Sequence, residues 1–115
     1  MELDRARALL TAERAQVQQL LADLGADRAE DRAAERETGD AADPAQPLTE
    51  QGVDDAVAAG LRDRLAALDR ALLRVADGTY GRSIRSGAAI PDERLEADPA
   101  AELTVQEAAS RQGFS

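Results

Sequence analysis

The sequence lacks cysteine, histidine, lysine and tryptophan, and its 115 residues include a single tyrosine and a single phenylalanine. Without cysteine, histidine or lysine the chain has few candidate nucleophiles or general bases, and its serines have no evident activating partner, so we do not expect an enzyme. The missing thiolates and imidazoles are also the ligands that a structural zinc ion requires. The shortage of aromatic side chains argues against a broad globular core.

What the chain contains in quantity is alanine, leucine and charge. Hydrophobic residues make up 43% of the sequence and charged residues 32%, a composition typical of long helices packed along a narrow seam. The formal net charge of −9 argues against direct binding to nucleic-acid phosphates. The charged N-terminal sequence and the absence of a long apolar run predict neither a signal peptide nor a membrane segment, so we expect a cytoplasmic protein with no membrane partner.

Two stretches have the heptad pattern of a coiled coil. The first, from residue 2 to about 36, repeats apolar residues every seven positions, at Leu3, Leu10, Val17 and Leu24. The second, from about 49 to 76, has alternating gaps of four and three, at Val57, Leu61, Leu65, Leu68, Leu72 and Val75. A turn near Asp43 and Pro44 would fold these helices into an antiparallel hairpin.

The predicted fold class is therefore mainly all-α. We expect a long antiparallel two-helix coiled-coil hairpin over residues 1–78, with its tip at about 37–50, which we call the acidic turn. Residues 79–115, called the C-terminal module below, should form a small separate unit with a short terminal helix.

Local signals mark the C-terminal module. Asp77-Gly78 predicts a helix stop, and Tyr80-Gly81 predicts an anchor followed by a tight turn. Thr104-Val-Gln-Glu107 has the spacing of a capping box at the start of a last helix. The expected core of the module is apolar and consists of Tyr80, Ile84, Ile90, Leu95, Leu103 and Val105.

The module resembles the C-terminal module of the DksA/TraR family, bacterial transcription regulators with a C4-type zinc finger. The residues shared with the family pattern are Asp77 to Gly81, Gly87, Ile90, Arg94 to Ala97 and Pro99. In that family four cysteines hold one zinc ion, whereas the corresponding positions here are Ser83, Ser86, Thr104 and Glu107. We therefore expect a degenerate zinc finger that holds no metal and uses no cofactor.

The acidity is concentrated near the predicted turn. Residues 27–55 contain ten acidic side chains and three arginines, a net charge of −7 out of the chain's −9. Within this stretch, Asp40, Asp43 and Ala45 match the Asp-x-x-Asp-x-Ala pattern at the coiled-coil tip of DksA-type proteins. The resemblance implies that the protein binds RNA polymerase and inserts this tip into the secondary channel, where basic groups would attract it.

Other interpretations of the same features remain open. The acidic turn could be a solvated loop that keeps an alanine-rich hairpin soluble, and Ser83 and Ser86 could be plain turn residues. The arginines of the module could contact polymerase or a nucleotide, although pairing of Arg82, Arg85 and Arg94 with Asp92, Glu93 and Glu96 is favoured.

The alternative function is a non-enzymatic coiled-coil adaptor or structural protein that pairs with another helical protein or with itself. Leu9 and Leu21 lie beside the main seam and could belong to such a partner surface, or they could widen the intramolecular seam. We expect a monomer or weak self-association.

Overall fold

The computed structural model describes the backbone of residues 1–38 and 47–112 and the side chains of residues 1–25 and 52–110. It contains four helices, α1 (Leu3–Thr38), α2 (Pro47–Asp77), α3 (Asp92–Ala97) and α4 (Val105–Gln112). An isolated antiparallel bridge joins Arg82 to Ala89, and the described backbone contains no strand. The mainly α-helical fold class is confirmed. None of the helices, over their described residues, is long and apolar enough to cross a membrane.

The two long helices extend farther toward each other along the chain than the sequence pattern predicted. α1 ends at Thr38 rather than near residue 36, and α2 begins at Pro47 rather than near residue 49. Proline is well accepted at the first position of a helix, because the N–H that it lacks would have no helical partner there. Pro47 therefore begins α2 instead of belonging to the turn.

The chain divides into two compact units. Unit 1 consists of residues 1–14 and 66–115, and unit 2 consists of residues 15–65. α1 and α2 each contribute residues to both units. The predicted domain division at residue 78 stays a prediction.

In the described side chains of unit 2, the buried ones belong to the middle of α1 and the first half of α2. Val17 and Ala58 are buried, whereas Leu21 and Leu24 are half-buried. The prediction that Val57 belongs to the seam is wrong, since its side chain is exposed. Successive residues of a helix are rotated by about 100°, so the burial of Ala58 turns Val57 away from the seam.

Of the side chains that the structure describes, most of the buried ones belong to unit 1. Its buried apolar residues are Ala6, Leu10, Leu68, Ala71, Val75, Tyr80, Ile90, Leu95, Ala100, Ala101 and Leu103. Leu3, predicted to lie in the seam, is exposed, because it is the first residue of α1 and has no preceding helical turn beside it. Ala6 is buried one turn later. The core of unit 1 thus joins the start of α1 and the end of α2 to the C-terminal module.

Ion pairs connect the start of α1 to the other elements of unit 1. The amino group of Met1 pairs with Asp92, and the Arg5 Nη2 atom lies 2.7 Å from Glu96 Oε2. Arg14 Nε donates to Asp69 Oδ1 of α2 at 2.5 Å. The early part of α1 therefore lies beside the late part of α2, as an antiparallel pair requires.

These partners differ from those expected for the acidic residues of the module. The pairing of Asp92 and Glu96 with arginines of the module was predicted, and it is wrong for both, since their partners are in the first residues of the chain. Arg94 Nε instead donates to the carbonyl oxygen of Leu103 at 2.8 Å. The Met1–Asp92 and Arg5–Glu96 pairs each join residues 91 positions apart, and local charge spacing gives no sign of them.

Candidate functional site

The candidate site has two parts, and the structure describes one of them. Asp40, Asp43 and Ala45 lie outside the described residues, so their proposed role stays a prediction. The described part is the C-terminal module, whose geometry is set by the end of α2, a short loop and the start of α4.

The module begins where α2 ends. Gly78 adopts a left-handed conformation with φ of 78°, and the amides of Thr79 and Tyr80 both donate to the Arg74 carbonyl, at 2.9 and 3.2 Å. The predicted helix stop at Asp77-Gly78 is confirmed. A glycine suits this position because it has no Cβ to clash in the left-handed region.

Tyr80 anchors the module to the unit 1 core. Its ring is buried, and its hydroxyl donates to the carbonyl oxygen of Pro99 at 2.8 Å. Burial raises the pKa of Tyr80 above its ordinary value of 10.0, the Arg74 guanidinium opposes this rise, and Asp98 and Glu96 add to it. The predicted anchor is confirmed.

A tight loop follows the anchor. Gly81 has φ of 87°, and its carbonyl accepts the Ile90 amide at 2.8 Å. The Ser83 amide donates to Ala88 at 2.8 Å, and the Gly87 amide donates back to Ser83 at 2.9 Å. The chain therefore reverses within residues 83–88, a segment called the serine loop below.

The predicted apolar core of the module is correct for four residues and wrong for two. Tyr80, Ile90, Leu95 and Leu103 are buried, but Ile84 and Val105 are 59% and 54% exposed. Ile84 lies in the serine loop beside the buried Ser83, and Val105 is the first residue of α4. Ser83 is the buried side chain of the serine loop, and these two apolar side chains are exposed to solvent.

The predicted capping box lies at the start of α4. Thr104 precedes α4, and its Oγ1 atom accepts the Glu107 amide at 3.2 Å. In return, Glu107 Oε1 accepts the Thr104 amide at 3.0 Å. This reciprocal pair satisfies two amides that the helix itself leaves without partners, so the capping box is confirmed.

The two serines order the loop in the same way. Ser83 Oγ accepts the amides of Arg85 and Ser86 at 3.1 and 3.2 Å, and Ser86 Oγ accepts the Ala88 amide at 3.2 Å. The Ser83 side chain is buried. Both serines therefore act as turn residues, one of the interpretations that the sequence left open.

The pKa of the Glu107 carboxyl lies well below its ordinary value. Hydrogen bonds from the Ser83 hydroxyl and from the Thr104 amide, in that order of effect, lower the pKa of Glu107 to about 2, with smaller contributions from the Thr104 and Ser86 hydroxyls. Partial desolvation opposes this shift. Thr104 and Glu107 bond to each other, and Ser83 and Ser86 bond to amides of the serine loop. We call these four residues at the zinc-ligand positions the polar junction.

The polar junction does not fit a zinc ion. The hydroxyl oxygens of Ser83, Ser86 and Thr104 each accept main-chain amides, and Glu107 supplies the single anionic group. Hydroxyls stay protonated at neutral pH, and structural zinc prefers thiolate or imidazole ligands. No group of three or more acidic, histidine or cysteine side chains suited to a metal occurs in the part of the chain that was described.

Sequence reasoning missed a second polar cluster in unit 1. Glu102 accepts hydrogen bonds from Arg70 Nη2 at 2.9 Å, from Arg70 Nε at 3.2 Å and from Arg74 Nη1 at 3.3 Å. Arg74 is 13% exposed and Glu102 is 22% exposed. The i, i+4 spacing of the two arginines places them on one helix face, but nothing local identifies Glu102 as their partner.

The comparison with known structures decides the family. The chain superimposes on the structure of transcription factor DksA2 from Pseudomonas aeruginosa with a TM-score of 0.73 and 32% identity, covering 96% of this chain and 81% of that one. The chain belongs to the DksA-like family. This membership confirms the resemblance first seen in the C-terminal module, and it extends that resemblance over nearly the whole chain.

Part of the chain is also similar in sequence to a bacterial stress protein. This DksA-like chain is 42% identical over 65 residues to General stress protein 16O from Bacillus subtilis, a match that covers 56% of this chain and spans 40% of the length of that protein. No family model matches the chain. The structural likeness and the shared residues of the module therefore carry the family assignment.

Proposed function

We propose that this protein is a transcription regulator of the DksA type that binds RNA polymerase and inserts the acidic turn into the secondary channel. The observation that supports the proposal best is the likeness to DksA2 over 96% of the chain. The protein acts in the cytoplasm as a binding protein without catalytic activity, cofactor or direct nucleic-acid contact.

The charge distribution supports the same proposal. The net charge of −7 over residues 27–55 lies around the connection between α1 and α2, so that the most acidic part of the chain enters a channel with basic walls. Asp40 and Asp43 are the carboxylates that approach the polymerase active centre, and Ala45 completes the tip pattern. Unit 1 supplies the remaining contact surface.

Paired assays on purified core RNA polymerase test the proposal. Asp40→Asn with Asp43→Asn keeps side-chain size and turn preference while removing two charges. A matched control, Glu2→Gln with Asp63→Asn, makes the same change of net charge at one exposed position just before α1 and one within α2. We expect both variants to bind polymerase and only the tip variant to lose its effect on transcription.

A shortened hairpin tests insertion separately from charge. Arg14 pairs with Asp69, so an antiparallel arrangement that continues along both helices places residues 18–24 opposite residues 59–65. Deleting both segments removes one heptad from each helix and withdraws the turn by about 10 Å. We expect this variant to lose its effect on transcription, whereas an unchanged effect would contradict insertion.

The alternative, an adaptor that pairs with a helical partner or with itself, is favoured by exposed apolar side chains on the helices. Leu20 is 51% exposed and Leu73 is 65% exposed, whereas Leu9 and Leu21 are half-buried. Sedimentation at several concentrations and a pull-down from native lysate separate the two functions. A stable homodimer, or a dominant helical partner in place of polymerase subunits, would support the adaptor.

A further inference from the structure

Two arginines at the serine loop have exposed side chains and no acidic partner. Arg82 directly precedes the loop and Arg85 lies within it. Arg82 Nη1 donates to the Gly87 carbonyl oxygen at 3.3 Å, and among the residues that the structure describes neither arginine forms an ion pair. Residues 78–91 contain these two arginines and no acidic residue, so this stretch has a net charge of +2 in a chain of −9.

An exposed apolar side chain lies between the two arginines in the sequence. Ile84 is 59% exposed, although the preceding residue, Ser83, is buried. The Ile84 amide donates to the Glu102 carbonyl oxygen at 2.9 Å, and the exposed Val105 follows three residues after Glu102. Removing apolar side chains from water is favourable, so a partner that covers Ile84 gains affinity. The loop therefore combines apolar surface with positive charge that no carboxylate of the described residues compensates.

Hydrogen bonds fix the backbone that carries these side chains. Ser83 Oγ accepts the amides of Arg85 and Ser86 at 3.1 and 3.2 Å, and the Ile84 amide is bonded to Glu102 outside the loop. Binding to an ordered loop costs less conformational entropy than binding to a loop that must first become ordered. The exposed side chains are thus presented on a preorganised segment.

We propose that Arg82, Ile84 and Arg85, called the basic docking surface below, bind an acidic protein segment that carries an apolar side chain. An arginine guanidinium has five donors in a planar arrangement that matches a carboxylate, and Ile84 supplies the apolar contact. No internal ion pair has to be broken before either arginine binds. A nucleic acid would instead bring a row of phosphates against a chain with a net charge of −9, which disfavours it as the ligand.

This inference rests on the proposed function, under which the acidic segment belongs to RNA polymerase. The acidic turn and the basic docking surface carry charges of opposite sign, so they select different surfaces of the same partner. The acidic turn enters the basic channel, and the basic docking surface contacts an acidic region elsewhere on the polymerase.

Binding to core RNA polymerase free of nucleic acid tests the role of charge. Arg82→Gln with Arg85→Gln removes both charges of the docking surface. The matched control, Arg7→Gln with Arg62→Gln, makes the same change of net charge at exposed positions of α1 and α2. We expect the docking variant to bind about fivefold more weakly than the parent and the control at low salt. This difference should shrink at high salt, because exposed ion pairs are screened.

A second pair of variants tests the apolar contact. Ile84→Thr and the control Val57→Thr each place a polar, β-branched side chain at an exposed position. We expect Ile84→Thr to weaken binding to polymerase about threefold and Val57→Thr to leave it unchanged. Because all the substituted side chains are exposed, the melting curves of these variants should match that of the parent.

The outcomes distinguish this surface from the proposed function. If the parent binds polymerase and both docking variants bind as tightly as their controls, the basic docking surface is refuted and the proposed function stands. If the parent does not bind polymerase, both are refuted. Sedimentation of the parent and of the arginine variant identifies another occupant: self-association that the variant loses would show that a second copy covers this surface, and would overturn the proposal.

Discussion

Replacing Glu102 with glutamine should destabilise unit 1 more than an ordinary surface substitution. Glu102 is the acceptor for both Arg70 and Arg74, and the Arg74 side chain is 13% exposed. The Arg74 guanidinium carries a positive charge, and its Nη2 atom is already buried without a hydrogen-bond partner. The substitution therefore leaves a largely buried guanidinium without a counter-charge.

The expected cost follows from that burial. Removing a charged partner from a largely buried ion pair costs about 2 kcal/mol or more, since the remaining charge stays desolvated. For a chain of this size, 2 kcal/mol corresponds to a melting temperature lower by about 10 °C. The Glu102 main-chain carbonyl, which accepts the Ile84 amide at 2.9 Å, is unaffected by the substitution.

Asp69→Asn is the matched comparison. It breaks the Arg14–Asp69 pair, whose side chains are 37% and 47% exposed, and pairs of that exposure contribute about 0.5 kcal/mol. Both variants should be measured by thermal and urea unfolding at neutral pH. If Glu102→Gln shifts the melting temperature no more than Asp69→Asn does, burial of Arg74 does not control the strength of this cluster and the reasoning is refuted.

Three further predictions concern the module. The pKa of Glu107 falls from 4.5 to about 2 on folding, so the contribution of Glu107 to stability is complete above pH 4.5 and is lost as pH falls toward 2. Glu107→Gln should weaken the pH dependence of unfolding followed by Tyr80 fluorescence. An unchanged pH dependence would contradict the low pKa of Glu107. Tyr80→Phe removes the hydrogen bond to Pro99 and should cost about 1 kcal/mol in urea unfolding, whereas a neutral result would show that water replaces the bond. Gly81→Ala places a side chain at φ of 87° and should lower the free energy of unfolding by about 1 kcal/mol or more, although the added Cβ would lie an ordinary 3.7 Å from Leu95 Cδ1. Gly60→Ala in α2, with open space at the Cβ position, should instead stabilise the fold.

Features that depend on neighbouring residues were predictable from the sequence. The heptad spacing predicted α1 and α2 to within two residues at each end, and Gly78 and the Thr104–Glu107 capping box marked helix ends that the structure confirms. Each of these signals acts through main-chain conformation or through hydrogen bonds spanning a few residues. The sequence alone therefore determined the two long helices and the start of α4, whereas α3 was not predicted.

Features that depend on which surfaces meet were decided by the tertiary structure. Hydrophobicity predicted Ile84 and Val105 in the core, but Ser83 is the buried side chain of the serine loop, and both apolar side chains are exposed. The pairs between Arg5 and Glu96 and between Arg74 and Glu102 likewise join residues far apart in the chain. Side-chain burial and long-range pairing follow from how elements pack, because a residue's own type and spacing do not specify the surface that will cover it.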